Sequence, residues 1–183
     1  MERHRKHIKN NRSKIQRRKG GDGLDTKKTV IFIDTNVFVI DLRYKNDINY
    51  KTNLGFLDFI SKHKKGMTSI INLLEVCGIL SFNLNRQQVL ELFYYLPEKY
   101  GIDIIPSHDI DSFLPETSVK NMMDIICKKA SLGDALVANL INHFLDEKGL
   151  FVSWDAEHFK GLLSIKALTP KEYMEGRGTK DDG

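Results

Sequence analysis

Short apolar runs and longer amphipathic stretches alternate along this chain. Residues 30–33, 67–68, 102–105, 150–153 and 165–168 form short apolar runs, which are typical of strands buried in a sheet. Apolar residues at helical spacing predict helices near residues 56–60, 70–82, 89–96, 119–129 and 134–146. Strands separated by helices predict an α/β domain with a mainly parallel sheet.

The order of segments predicts one folded domain between two extensions. Residues 1–28 contain few apolar side chains and end in a glycine-rich stretch, so we expect a flexible basic arm. Residues 29–172 hold all the predicted strands and helices. Residues 173–183 are expected to be a disordered tail. The helix near residues 89–96 is expected to end before Pro97.

Charge is divided unevenly between the arm and the domain. The 183-residue chain has a net charge of +4, with +8 in residues 1–19 and −4 in the remainder. Such arms attract nucleic-acid phosphates without reading base sequence. The residues predicted to contact nucleic-acid phosphates are Arg3, Arg5, Lys6, Lys9, Arg12, Lys14, Arg17, Arg18, Lys19 and, in the domain, Arg43. The alternative is a solubilising tail or a weak targeting signal.

Several classes of protein are excluded by composition. No apolar run approaches the roughly 20 residues that cross a bilayer, and the polar N-terminus does not look like a secretory signal. Cys77 and Cys127 lie in apolar helical stretches and form no zinc-like pair, so we expect two buried free thiols in a reducing compartment. These features predict a cytoplasmic protein with no membrane partner.

Four carboxylates occupy unusual positions in this pattern. Asp34 and Asp155 directly follow predicted strands, and the carboxyl ends of parallel strands are where open α/β folds bind ligands. Glu75 lies on the apolar face of its helix, and Asp134 opens a helix on a similar face. Taken singly, Asp134 and Asp155 are better explained as a cap or a turn.

Together, the four acids predict a metal site. A buried carboxylate is costly unless it is paired or binds a metal, and several converging carboxylates would repel one another. Oxygen ligands favour Mg²⁺ or Mn²⁺.

Four motifs around these acids resemble those of PIN-domain nucleases. Residues 30–37 read V-I-F-I-D-T-N-V, and residues 68–75 read T-S-I-I-N-L-L-E. Residues 133–138 read G-D-A-L-V-A, and residues 151–159 read F-V-S-W-D-A-E-H-F, with Ser153 where the family usually has Thr. The four motifs follow the family's order, with separations of 41, 59 and 21 residues between the acids.

The resemblance implies an α/β/α sandwich around a mainly parallel sheet of four or five strands. It implies a metal-dependent endoribonuclease, in which Asp34, Glu75, Asp134 and Asp155 bind Mg²⁺ or Mn²⁺ and catalyse hydrolysis of RNA phosphodiester bonds. Thr35, Asn36 and Ser153 would hold these carboxylates in place.

The resemblance leaves several functions open. Many small family members are toxins of type II toxin–antitoxin pairs, inhibited by a small partner protein, whereas others process RNA. This chain is longer than such toxins usually are. A catalytically inactive RNA-binding or scaffold protein is the main alternative, and a DNA nuclease of the flap-endonuclease type is another. A homodimer is a candidate oligomeric state.

A few other side chains near these motifs are weighed as site residues. His158, three residues after Asp155, is a weaker candidate for a ligand or proton carrier. Trp154 is expected to pack against the sheet edge rather than stack on a base. Tyr94, Tyr95 and Tyr100 are expected in the core or at a dimer interface.

Overall fold

The structure, a computed structural model, describes residues 29–63, 65–145 and 149–178. The strands in these ranges are β1 (Ile31–Ile33), β2 (Gly66–Ser69), β3 (Asp103–Ile105), β4 (Leu150–Val152) and β5 (Lys166–Leu168). The helices are α1 (Thr35–Arg43), α2 (Tyr50–His63), α3 (Ile70–Ser81), α4 (Arg86–Tyr100), α5 (Val119–Ile126), α6 (Leu132–Phe144) and α7 (Pro170–Gly178).

The strands form one five-stranded parallel sheet with β1 at its centre. Their order is β3-β2-β1-β4-β5, and Ile31 pairs with Gly66 on one side and with Leu150 on the other. Because all strands run in the same direction, their carboxyl ends meet at one edge. Asp34 and Ser153, which follow the adjacent strands β1 and β4, therefore lie next to each other at that edge.

Helices cover both faces of the sheet. In β1, Ile31 and Ile33 pack with α1 to α4 on one face, and Phe32 packs with α5 and α6 on the other. All three β1 side chains are at most 1% exposed, as expected for a strand that is apolar on both faces. The molecule is thus a three-layer α/β/α sandwich, which confirms the fold class predicted from the sequence.

Two predicted boundaries differ from the structure. Helix α4 continues through Pro97 to Tyr100 and ends at Gly101, whose φ of 60° suits glycine. Residues 173–178 are not a disordered tail, because α7 extends to Gly178 and Tyr173 packs edge-on against Phe56 at 5.4 Å between ring centroids. Residues 1–28 and 179–183, the predicted arm and the end of the predicted tail, lie outside the described residues.

The two cysteines have different environments. Cys77 is buried, which raises the pKa of its thiol to about 11. The prediction that Cys127 is buried is wrong, because this residue caps the C-terminus of α5 in an exposed position.

A buried polar contact fixes α1 against α4. Asp41 accepts hydrogen bonds from Lys99 Nζ at 2.8 Å and from the Tyr100 hydroxyl at 2.6 Å. Burial would raise the pKa of Asp41, but these two donors outweigh it and lower the pKa below the usual value. Tyr100 is therefore a core residue, as predicted, while Tyr94 and Tyr95 are about half exposed. The contact anchors the helix whose first residue follows Asp34.

Across the described ranges, no helix has the length and apolar character needed to traverse a lipid bilayer.

Candidate active site

Asp34 lies at the carboxyl end of β1 and caps the N-terminus of α1. Its backbone N–H donates to Val152 O at 3.0 Å, which ties it to the end of β4. Its side chain is 8% exposed and accepts a 2.8 Å hydrogen bond from the Thr35 N–H. The sheet and the helix start together fix where this carboxylate points.

Two further segments donate to the Asp34 carboxylate. Ser153, which follows β4, donates from Oγ to Oδ2 at 2.7 Å. Asn72, in the first turn of α3, donates from Nδ2 to Oδ1 at 3.2 Å. Both donors are completely buried. Asp34 is thus held by groups from three separate parts of the sequence.

Glu75 reaches the same edge from α3. Its Oε2 accepts a 2.6 Å hydrogen bond from the Thr35 hydroxyl. The prediction that Glu75 is buried on an apolar face is wrong, because its side chain is exposed. Apolar residues further along the chain on this side of α3 do not enclose it, since Ile79 is only partly buried and Phe82 is 87% exposed.

Asn36 links the chain after β1 to the chain after β4. Its Nδ2 donates to Ser153 Oγ at 2.9 Å, and its Oδ1 accepts from the Trp154 N–H at 3.1 Å. Ser153 Oγ also accepts from the Asp155 N–H at 2.9 Å. Thr35, Asn36 and Ser153 therefore all contact the acids or their neighbouring backbone.

Trp154 is a structural residue, as the sequence predicts. Its indole Nε1 donates to Asn53 Oδ1 at 2.8 Å, and its ring packs against the core under α1 to α4.

Asp134 lies in the first turn of α6 and forms a capping box with Ser131. The Ser131 backbone N–H donates to its Oδ2 at 3.3 Å, and Ser131 Oγ in turn accepts from the Asp134 N–H at 3.2 Å. The Ser131 hydroxyl also donates to Oδ2, at 2.6 Å. His158 Nε2 lies 3.2 Å from the same carboxylate oxygen. Asp134 is therefore a helix cap as well as a candidate site residue, and His158 contacts it directly.

Asp155 differs from the other three acids. It is exposed on the turn after β4. Its backbone N–H donates to Ser153 Oγ, which in turn donates to the Asp34 carboxylate.

Two of the predicted acids help to raise the pKa of a third. Burial raises the pKa of Asp34 to about 7, against the opposing effect of the hydrogen bonds from Ser153 and Thr35. The carboxylates of Glu75 and Asp134 contribute smaller parts of this rise. Asp34 therefore loses its proton near neutral pH, in a region of concentrated negative charge.

The oxygen donors at this edge are carboxylates, with hydroxyls and carboxamides around them. Among the residues that the structure describes, however, no three His, Cys, Asp or Glu side chains are arranged as a group that could hold a metal ion. The edge thus brings the acids near one another without gathering them into a ligand cage.

Asn72 is the site residue that sequence reasoning missed. It lies three positions before Glu75, so both residues are on the same side of α3. The available signal was a carboxamide inside an otherwise apolar stretch, residues 70–74. A buried amide of this kind needs partners, and here the partners are site residues.

The predicted RNA-binding residues are away from this edge or outside the described chain. Arg43 is at the far end of α1 from Asp34, about 13 Å along the helix. It donates to Ile79 O at 3.0 Å and borders a shallow depression of about 390 Å³ formed with residues 44–47. The nine basic residues of the arm lie outside the described residues.

No protein-family model matches the chain, and no curated protein matches it.

Solved structures do match the fold, and three of them illustrate the degree of likeness. VapBC2 from Rickettsia felis, bound to a DNA fragment from its promoter, is 15% identical with a TM-score of 0.52, covering 77% of this chain and 98% of that one. FitAcB from Neisseria gonorrhoeae is 17% identical with a TM-score of 0.51 over 77% and 98%. VapBC-1 from nontypeable Haemophilus influenzae is 12% identical with a TM-score of 0.51 over 78% and 99%.

At these identities the likeness concerns the fold. The fold is PIN-like, as the sequence resemblance predicted. The three structures described above, which share this fold, are VapBC and FitAB complexes. In each, the matching chain is covered over nearly its whole length.

Proposed function

We propose that this chain is a Mg²⁺- or Mn²⁺-dependent endoribonuclease. The observation that carries the proposal is Asp34, a buried carboxylate at the carboxyl end of the central strand, with Glu75 and Asp134 close enough to raise its pKa. Like charges brought together at a ligand-binding edge favour a cation there. The donor chemistry, carboxylate oxygen, suits a hard divalent ion.

The residues proposed to hold the ion are Asp34, Glu75, Asp134 and Asp155. When bound at such a site, a divalent ion lowers the pKa of a water molecule and stabilises charge on phosphate oxygens. Thr35, Asn36 and Ser153 orient the carboxylates through the hydrogen bonds described above.

The proposed biological setting is a toxin–antitoxin pair. The proposal is supported by the fold likeness to VapBC and FitAB complexes. We propose a small antitoxin-like protein as inhibitory partner, RNA as substrate and a homodimer as the assembled form. RNA processing outside such a pair is the other setting consistent with this chemistry.

A second candidate, a catalytically inactive RNA-binding protein of the same fold, is favoured by two observations. The described side chains do not form a ready group of metal ligands, and Glu75 and Asp155 are exposed. A catalytically inactive protein of this fold does not need carboxylates that bind one metal ion together.

Cleavage of RNA by the purified full-length chain separates these candidates. We expect fragments from a mixed RNA pool with Mn²⁺, none with EDTA, and none from single-stranded DNA of matched sequence. Asp34→Asn should abolish cleavage because it removes the central charge while keeping the shape. Asp58→Asn, which removes an exposed carboxyl on α2, should cleave like the unmodified chain.

The alternatives correspond to distinct results. RNA binding without cleavage under any divalent ion would favour the inactive protein. Cleavage that persists in EDTA or in Asp34→Asn would contradict the proposed site.

A further inference from the structure

We propose that Asn72 is a positioning residue that aims the Thr35 hydroxyl at Glu75. The inference rests on the proposed function, because it concerns how one of the proposed metal ligands is oriented. It is carried by a chain of hydrogen bonds in which the role of each group follows from that of its neighbour. The chain runs from Ser69 through Asn72 and Thr35 to Glu75.

Ser69 sets which way the Asn72 amide faces. Ser69 Oγ accepts from the Asn72 backbone N–H at 3.1 Å, in the N-cap of α3. Its hydroxyl hydrogen is therefore directed to Asn72 Oδ1, at 2.5 Å. With the carbonyl oxygen of the amide facing Ser69, the amino group must face the opposite way, towards β1.

The amino group then meets two acceptors. Nδ2 has two hydrogens, and it lies 3.2 Å from Asp34 Oδ1 and 3.0 Å from Thr35 Oγ1. An amide nitrogen can only donate, so the first hydrogen goes to Asp34 Oδ1. The second hydrogen makes Thr35 Oγ1 an acceptor.

The remaining step follows from the single hydrogen of a hydroxyl. Since Thr35 Oγ1 already accepts from Asn72, its hydrogen is available for Glu75 Oε2, which lies 2.6 Å away. Asn72 and Ser69 are 0% exposed and Thr35 is 5% exposed. Water is thus poorly placed to replace the amide, and the direction of the Thr35 hydroxyl depends on Asn72.

Glu75 is sensitive to this arrangement because it is otherwise an exposed side chain on α3. An exposed glutamate samples several rotamers, and fixing it costs conformational entropy. The charge-assisted bond from Thr35 offsets this cost and holds the carboxylate at the edge of the sheet.

The first test is the crystal structure of metal-free Asn72→Ala. We expect the separation of Thr35 Oγ1 from Glu75 Oε2 to increase from 2.6 Å to more than about 3.5 Å, beyond hydrogen-bond range, as the hydroxyl turns to another acceptor. If this variant does not fold, Asn72→Ser replaces it, because the shorter side chain cannot reach both Asp34 and Thr35. An unchanged Thr35–Glu75 hydrogen bond in the variant that folds would overturn the proposal.

Asn53→Ala is the matched control. Asn53 is also 0% exposed, and its amide bridges Val37 O and the Trp154 indole without touching an acid. It should destabilise the protein comparably while leaving the Thr35–Glu75 hydrogen bond in place. If that hydrogen bond is broken in both variants, the cause is a general loosening of the fold, and the role of Asn72 is overturned.

The second test is a double-mutant cycle read by Mn²⁺ affinity. Removing a residue that orients a ligand typically weakens metal binding about 10- to 100-fold. We expect Asn72→Ala to weaken Mn²⁺ binding at least about tenfold in the unmodified background and less than about twofold in the Glu75→Ala background. Equal weakening in both backgrounds would overturn the proposal.

The two tests keep this proposal separate from the proposed function. If the unmodified chain binds no Mn²⁺, the proposed function fails, and the metal-free crystal structures still decide whether Asn72 aims Thr35 at Glu75.

Discussion

Asp34 is an acid whose folded environment opposes its ionisation. Burial and the neighbouring carboxylates raise its pKa from 3.8 to about 7. The folded state therefore holds the proton more tightly than the unfolded state does. Below about pH 4 the carboxyl group is protonated in both states, so it does not lower the free energy of unfolding. As pH rises from about 4 to about 7, Asp34 ionises in the unfolded state but not in the folded state. The free energy of unfolding therefore falls over this range.

This difference predicts a pH-dependent effect of Asp34→Asn. The variant should gain stability over the unmodified protein as pH rises from about 4 to about 7, by at most about 4 kcal/mol, with no further gain above. Asn keeps the shape of the side chain, and its one oxygen can still accept hydrogen bonds from the Thr35 N–H and the Asn72 amide. Urea unfolding with EDTA across this pH range measures the difference. A difference that does not change with pH would show that the carboxyl group carries no such penalty.

At the scale of single residues, position along the chain predicted some of the site and missed the rest. Asp34 and Ser153 could be placed because each follows an apolar strand, and parallel strands bring such residues to one edge. The exposure of Glu75 could not be predicted, since helical periodicity shows which face a residue is on but not whether another element covers that face. Asn72 was missed because an amide carries no charge to mark it, and its role depends on partners 37 and 38 residues away.

Among the elements, β2 depends on a close approach at its first residue. A Cβ built on Gly66 would lie 2.5 Å from Ile60 Cγ2 and 2.6 Å from Ile102 Cγ2. Both neighbours are buried, β-branched side chains with little freedom to move. The absence of a side chain at Gly66 lets β2 pass beneath α2 and continue to Ser69 at the site.

Two glycine substitutions should therefore have opposite effects. Gly66→Ala should reduce the free energy of unfolding by about 1–3 kcal/mol, because the core must shift to admit a methyl group. Gly78→Ala, in the interior of α3 with nothing within 4 Å of the added Cβ, should increase it by about 0.5–1 kcal/mol. Denaturant unfolding of both variants provides the comparison, and Gly66→Ala as stable as Gly78→Ala would contradict the close approach.

Most elements were predicted from the sequence, but helices α1 and α7 and the end of α4 were not. Pro97 removes one backbone donor and crowds the carbonyl of Phe93, but neither effect stops the last turn of α4 from continuing to Gly101. Helix α7 was missed because its sequence is mostly polar, and among its described side chains only Pro170 and Tyr173 are buried. Its stability comes from packing on α2, which a local pattern does not reveal.

For the whole molecule, the division of charge separates attraction of RNA from cleavage. Residues 1–19 have a charge of +8, and the rest of the chain has −4 with acids concentrated at one edge of the sheet. A polyanion meets repulsion from that body and attraction from the basic residues.

Deleting residues 1–19 should therefore weaken RNA binding at low salt without removing cleavage. For a single strand, the slope of log K against log salt should become shallower by about 0.7 for each phosphate that the shortened chain no longer neutralises. Cleavage at saturating RNA should persist, because none of the proposed metal ligands is removed. Binding titrations across a salt series measure the effect. Unchanged affinity would leave those residues with a solubilising role.

The pairing of β1 with β4 joins parts of the chain that are made at different times. The hydrogen bond from Ser153 to Asp34 spans 119 residues, and β4 cannot enter the sheet until residues 150–152 have been synthesised. A nascent chain that stops short of them already carries Asp34 and Glu75 but lacks Ser153 and Asp155. For the proposed nuclease, this order of synthesis leaves the site unfinished until residue 155 has been made, so a ribosome that has not yet reached that residue carries no complete catalytic site.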